Sequence, residues 1–149
     1  MDASGEDYNA YAPIVNSLNA LGKQEAAQNI QVRQAAALEN HLKRVPEDAR
    51  ARTHLAVCYA SVGRGDDAAK EASFAIVLRP NDAMILYNAA CVFGILKNKS
   101  EALAAIRKSW EAGFKDAVWA RRDPDLAILH GDPEFDQLYP ENAMKEDKH

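Results

Sequence analysis

Pro46 and Pro80 stand 34 residues apart, and each closes an apolar run and opens an acidic or amide turn, VPED at 45–48 and RPND at 79–82. The same offset relates other positions. Ala56 is answered by Ala90, Ala68 by Ala102, Leu55 by Ala89 and the aromatic Tyr59 by Phe93. A fixed period of roughly 20–50 residues marks units that cannot bury their apolar faces alone and do so by stacking. The sequence therefore predicts stacked helical hairpins and directs attention to surfaces rather than to a catalytic pocket.

Residues 48–62, DARARTHLAVCYASV, put Leu55, Ala56, Tyr59 and Val62 at offsets of one, four and seven, a single helical face. Asp48 is placed to cap this helix, its carboxylate accepting from free first-turn amides. Gly63 and Gly65 end it, since glycine enters the left-handed region at little cost. A second helix over about 66–78 carries Ala68, Ala72, Ala75 and Ile76 inward, and Pro80 stops it. The cycle restarts at Asn81 and Asp82 with a helix over 84–96 and breaks at Lys97-Asn98-Lys99-Ser100. It closes with a helix over about 100–112 built on Ala102, Leu103, Ile106 and Trp110.

Upstream, Leu18, Leu21 and Gly22 read as a first helix ending in a turn glycine. Gly22 precedes Gly63 by 41 residues, seven more than the repeat. Seven residues make about two helical turns, so a longer second helix keeps its inner face in phase. Ala27, Ala35, Leu38 and Leu42 support such a helix over about 24–44, although Gln and Asn fill much of 24–34. After Gly113 the repeat is gone. Asp123-Pro124 and Asp132-Pro133 each pair a capping acid with a proline at the first helical position. Leu126, Leu129, Phe135 and Leu138 would face inward, with Trp119 adding apolar surface, to seal the array. The expected organisation is a flexible 1–9, hairpins over about 10–45, 49–80 and 83–112, capping helices over 113–139 and a frayed, charged 140–149.

These positions resemble the tetratricopeptide repeat family, closely over about 46–112 and loosely over 10–45. Leu55-Ala56, Tyr59, Gly63, Ala68, Ala75 and Pro80 fill one copy of the family pattern. Leu86, Ala90, Phe93, Ala102 and Ile106 fill the next. Arg52 departs from it, standing where a large apolar residue belongs; Ala72 replaces a bulkier residue and Ser109 the usual Ala. The third unit also lacks the closing Pro. The resemblance implies an all-α, right-handed solenoid of about three hairpins with a short helical C-terminal cap. The tail, with WARRDPDL and GDPEF, is similar to segments that end such arrays in bacterial multidomain signalling proteins.

The resemblance further implies a non-catalytic scaffold that binds a partner peptide or domain in a concave groove lined by the first helix of each hairpin. Carried over in phase, the groove residues are Asn16, Asn19, Arg50, Thr53, His54, Val57, Met84, Tyr87, Asn88 and Cys91. Asn88 falls where the family often places an asparagine that bonds a peptide main chain. A cationic clamp for a terminal carboxylate is not expected, because Thr53, Val57, Tyr87 and Cys91 stand where its cations would be. The alternative is a self-assembly or interdomain packing module that stacks on another copy or a neighbouring domain through its N-terminal edge, where Tyr8, Tyr11 and Ile14 would form an apolar end.

The remaining chemistry fits that picture. A net charge of −4 and a pI near 5.5 argue against nucleic acid as a partner, which needs concentrated Lys and Arg. No apolar run approaches the ~20 residues of a membrane span, and MDASGEDYNA lacks the basic-then-apolar order of a secretory signal. A cytosolic location is expected. Cys58 and Cys91 sit within apolar helical patterns and read as buried thiols rather than as a disulfide or metal pair. His41, His54 and His130 stand in no nucleophile motif, and no glycine-rich phosphate loop occurs, so neither catalysis, cofactor nor metal is expected. His41 is expected to be partly buried. Arg121 and Arg122 are expected to pair with Asp116, Asp123 or Asp125 rather than to hold an anion.

Overall fold

The computed structural model describes residues 11–141, and every regular element among them is helical. In chain order these are α1 (Tyr11–Ala20), α2 (Gln24–Arg44), α3 (Ala49–Ser61), α4 (Gly65–Leu78), α5 (Ala83–Ile95), α6 (Lys99–Glu111), α7 (Ala117–Arg122), a 3-10 helix (Pro124–Leu129) and α8 (Pro133–Leu138). The chain forms two compact units, Met1–Phe74 and Ala75–His149, with the boundary inside α4. The expectations for 1–9 and 142–149 lie outside the described residues.

In the first unit α1 packs on α2 and α2 on α3. Helix α2 has 21 residues against 14 in α4, so the seven-residue excess is taken up as two further turns. Its amide-rich start is not a weak point. Gln31 donates to the Ser61 hydroxyl at 3.0 Å, Gln28 to the Ser61 carbonyl at 3.2 Å, and the Cys58 thiol donates to the Gln34 side chain at 3.2 Å. Buried polar groups cost free energy unless bonded, and this seam bonds them to α3. Asp48 caps α3, accepting from the Ala51 amide at 3.0 Å, while its other oxygen meets His41 Nε2 at 2.7 Å.

Arg52, the departure from the repeat pattern, finds a substitute for apolar packing. Its guanidinium lies 4.1 Å from the centre of the Phe74 ring. It donates to the Pro46 carbonyl and to Glu71, each at 2.8 Å. A long cationic side chain can bury its stem and stack its planar head, so the position is filled by another chemistry.

In the second unit α5 and α6 form a hairpin, the 3-10 helix lies against both, and α8 lies against α6. Asp82 caps α5 and Asn98 caps α6. Asp116, Asp123 and Asp132 cap α7, the 3-10 helix and α8 in turn, with Pro124 and Pro133 opening the last two. Both Asp-Pro starts thus stand where the sequence puts them, and α7 adds a third short helix before them. Ser109 keeps its hydroxyl at a fully buried Ala position by donating to the Ala83 carbonyl at 2.8 Å.

The repeat alanines Ala56, Ala68, Ala90 and Ala102 all have 0% exposure, as close helix contacts require. Other inward expectations hold less fully. Ile76, Leu103, Trp110 and Leu138 are half-buried, and Trp119 is 60% exposed rather than part of a seal. The Arg121 side chain is buried and paired, but with Asp136 and the Tyr139 carbonyl, each at 2.6 Å, instead of Asp116, Asp123 or Asp125.

Gly63 ends α3 with φ of 84°, and its counterpart one repeat later, Lys97, ends α5 in the same left-handed region with φ of 62°. A side chain there costs about 1 kcal/mol, partly offset by the extra freedom glycine has when unfolded. Lys97→Gly is therefore expected to stabilise the chain by roughly 0.5–1 kcal/mol. Urea unfolding followed by circular dichroism checks this; a lower midpoint would mean that the Lys97 side chain makes a compensating contact.

Candidate functional site

The expected groove residues fall on helix faces set by the repeat. On α1, Asn16 and Asn19 are exposed. On α3, Arg50 is exposed, His54 and Val57 are half-buried and Thr53 is buried. Thr53 returns its hydroxyl to its own helix, donating to the Arg50 carbonyl at 2.7 Å. Burial and the neighbouring Arg50 charge lower the His54 pKa from its ordinary value, which favours a neutral ring at neutral pH. The same register recurs on α5, where Met84 is 51% exposed and Asn88 half-buried, whereas Tyr87 and Cys91 are buried.

What covers Tyr87 and Cys91 is the segment after α6. Tyr87 donates its hydroxyl to Asp123 Oδ2 at 2.7 Å, and the Cys91 thiol reaches the same oxygen at 3.5 Å. The Phe114 ring lies tilted on the Tyr87 ring with centroids 4.3 Å apart. Phe114 in turn meets Tyr139 edge-on at 6.4 Å, and the Tyr139 hydroxyl donates to the Phe114 carbonyl at 2.8 Å. Leu126, Leu129, Phe135 and Tyr139 are all at 0% exposure. Thr53, Tyr87 and Cys91 are thus not open to a ligand in this structure, which corrects the sequence expectation for those three side chains.

One residue that the sequence did not single out, Gly94, makes this arrangement possible. Gly94 lies where a Cβ would overlap the Asp125 carbonyl oxygen and come 3.2 Å from its carbon. Asp125 then sits beside Asp123 at the start of the 3-10 helix, its amide donating to Asp123 Oδ1 at 3.0 Å. A signal for Gly94 was available: the residue one repeat earlier is Ala60, so glycine enters the helix only in the copy that receives the C-terminal segment.

Among the described residues, Cys91, Asp123 and Asp125 bring their ligand-type atoms within 4.8 Å of one another. Burial, and then the charges of Asp123 and Asp125, raise the Cys91 thiol pKa. Burial, Cys91 and the bond to Asp123 likewise raise that of the Tyr87 phenol. Both groups stay protonated at neutral pH and spend their hydrogens on Asp123. In this arrangement hydrogen bonds hold the cluster together, and a thiol kept protonated is a poor nucleophile. Cys58 is likewise free and buried, its thiol pushed by burial up to about 12.

No family model matches the chain. Over 106 residues it is 24% identical to a chloroplastic protein of Arabidopsis thaliana, a stretch covering 68% of this chain and 32% of that protein. The chain thus spans about a third of that relative's length. No helix among the described residues is long and apolar enough to cross a membrane.

Proposed function

We propose that the chain is a non-catalytic protein-interaction module, a tetratricopeptide-like scaffold that offers the first helices of its hairpins to a partner peptide or domain. One observation carries this reading. At the 34-residue offset, α3 and α5 repeat a floor of fully buried alanines, Ala56 and Ala90, beneath outward positions whose side chains differ. Arg50 and Met84 are exposed counterparts, as His54 and Asn88 are half-buried ones. A constant floor under variable outward residues is what lets a repeat scaffold change ligands without changing its packing. A reducing, cytosolic setting suits Cys58 and Cys91, both free thiols.

Self-association is the alternative, favoured by Ile14 at 47% and Leu21 at 70% exposure on α1 and the turn after it. Tyr8 and the Tyr11 side chain, expected on the same edge, lie outside the described residues. One experiment separates the two. Partners captured by the full chain are identified, and their affinities are measured for the parent, for Met84→Ala/Asn88→Ala, for Arg50→Ala/His54→Ala and for Ile14→Ser. Scaffold binding is expected to weaken at least about tenfold in either of the first two variants with an unchanged circular-dichroism spectrum. Unchanged affinity in both would overturn it. A parent dimer by light scattering that Ile14→Ser dissociates would favour self-association.

A further inference from the structure

The segment that covers α5 brings two carboxyl groups to one place. Asp123 is fully engaged: Oδ1 accepts from the Asp125 amide, and Oδ2 accepts from Tyr87 and Cys91. The half-buried Asp125 carboxylate accepts no hydrogen bond among the described residues, and it faces Asp123 and the Cys91 thiol within 4.8 Å. Its backbone meanwhile presses on Gly94 with no room for a methyl group. A second negative charge in this close seat has no hydrogen-bond donor among the described residues to stabilise it.

We propose that Asp123 and Asp125 form a proton-operated latch, in which uptake of one proton tightens the C-terminal segment on α5 and its release loosens that segment and uncovers Tyr87 and Cys91. The device does not depend on what the chain binds. Groups on every neighbouring element leave Asp125 to this role. From α5 it meets Cys91, while Tyr87 is committed to Asp123. On α6, Lys99 pairs with Asp132 at 3.2 Å and Arg107 with Glu134. On α7, Arg121 is turned to Asp136, and the exposed Arg122 is engaged in an interaction of its own. The charge that bears on Asp125 is that of Asp123, and burial followed by that charge raises the Asp125 pKa from 3.8 to about 6.

The direction follows from linkage. The seated form has the higher pKa, so it binds more protons than the released form between pH 3.8 and about 6. Seating is most favourable below that window, weakens as pH rises through it and is constant above. Two carboxylates of the segment shift the other way. Asp132 and Glu134 are held below their ordinary values by Lys99 and Arg107, which favours their charged forms. A histidine also lies within the segment itself, His130, stacked on Phe135. A local readout and an Asp125 variant separate the two kinds of effect.

The test is hydrogen–deuterium exchange of the full chain at several pH values from about 5 to 7.5, corrected for intrinsic rates. It is read at 117–129 alongside the rate of Cys91 alkylation, in the parent and in Asp125→Asn. The parent's opening equilibrium at the segment is expected to rise about tenfold across that range, after allowing for partial solvent exposure. Asp125→Asn should stay at the acid value throughout. The same rise in both proteins would assign the effect to a histidine, and a flat profile in the parent would show that no proton is taken up; either overturns the latch. Should Asp125→Asn fail to fold, the Asp125 carboxyl resonance of the parent decides. A midpoint near 6 supports the proposal, and one at the ordinary carboxylate value overturns it.

Discussion

Replacing Gly94 by alanine is expected to destabilise the chain, although alanine favours helix over glycine by about 1 kcal/mol. The added methyl would overlap the Asp125 carbonyl oxygen and approach the Asp125 carbon and the Leu126 Cα, at 3.2 and 3.8 Å. All three are backbone atoms, so no rotamer change relieves the clash. Either α5 or the 3-10 helix must shift, and with it the bond from Tyr87 to Asp123. Overpacking of this kind costs about 1–3 kcal/mol in side-chain cores, and more is expected where backbone meets backbone. A net loss of about 2 kcal/mol would lower the melting temperature by roughly 4–8 °C in a chain of this size. Calorimetry measures the shift, and faster Cys91 alkylation would locate it. A neutral or stabilised Gly94→Ala protein would mean that the segment does not sit this close to α5.

The contrast between Gly94 and Gly63 shows what the sequence can and cannot convey. Gly63 declares itself locally, because it follows a helical run and must turn left-handed, and it has φ of 84°. Gly94 serves a contact with a residue 31 positions further on, and no local pattern encodes that approach. The same division runs through the molecule. Asp48, Asp82, Asp123 and Asp132 act within a few residues of themselves, so each is legible as a cap. The length of α2 was legible too, since a seven-residue excess preserves helical phase.

Contacts between distant segments were not legible in the same way. The Gln28, Gln31 and Gln34 seam looks like a poor helix start until α3 supplies its partners. Arg52 looks like a misfit until Phe74 and Glu71 are in place. The same limit explains the candidate surface. Periodicity identifies the α5 face that carries Met84, Tyr87, Asn88 and Cys91, but does not reveal that the chain's own C-terminal segment covers part of it. Nor does a six-residue helix carry enough turns to reveal which face Trp119 takes.

Truncation after Gly113 is expected to have the largest effect, leaving an aggregating or partly unfolded protein. The deletion removes Leu126, Leu129, Phe135 and Tyr139, none of which has measurable exposure. Fully burying one such side chain contributes about 1.5–3 kcal/mol, and residual burial in unfolded chains lowers that by roughly 10–40%. Four of them therefore supply a sum comparable with the whole stability of an ordinary domain, about 5–15 kcal/mol. The loss also uncovers Tyr87 and Cys91 on α5, whose hydroxyl and thiol would be left without Asp123. An apolar face of that size on a small helical unit favours association with another copy. Light scattering and urea unfolding of the truncated and full chains check this. A truncated chain that stays monomeric with an unchanged midpoint would show that 114–141 is not a structural cap. The Asp123 contacts would then belong to a segment free to leave, and Arg121 and Arg122 would become the natural place to look for a partner. Trp119, already exposed on the same short helix, would give that search a fluorescent reporter.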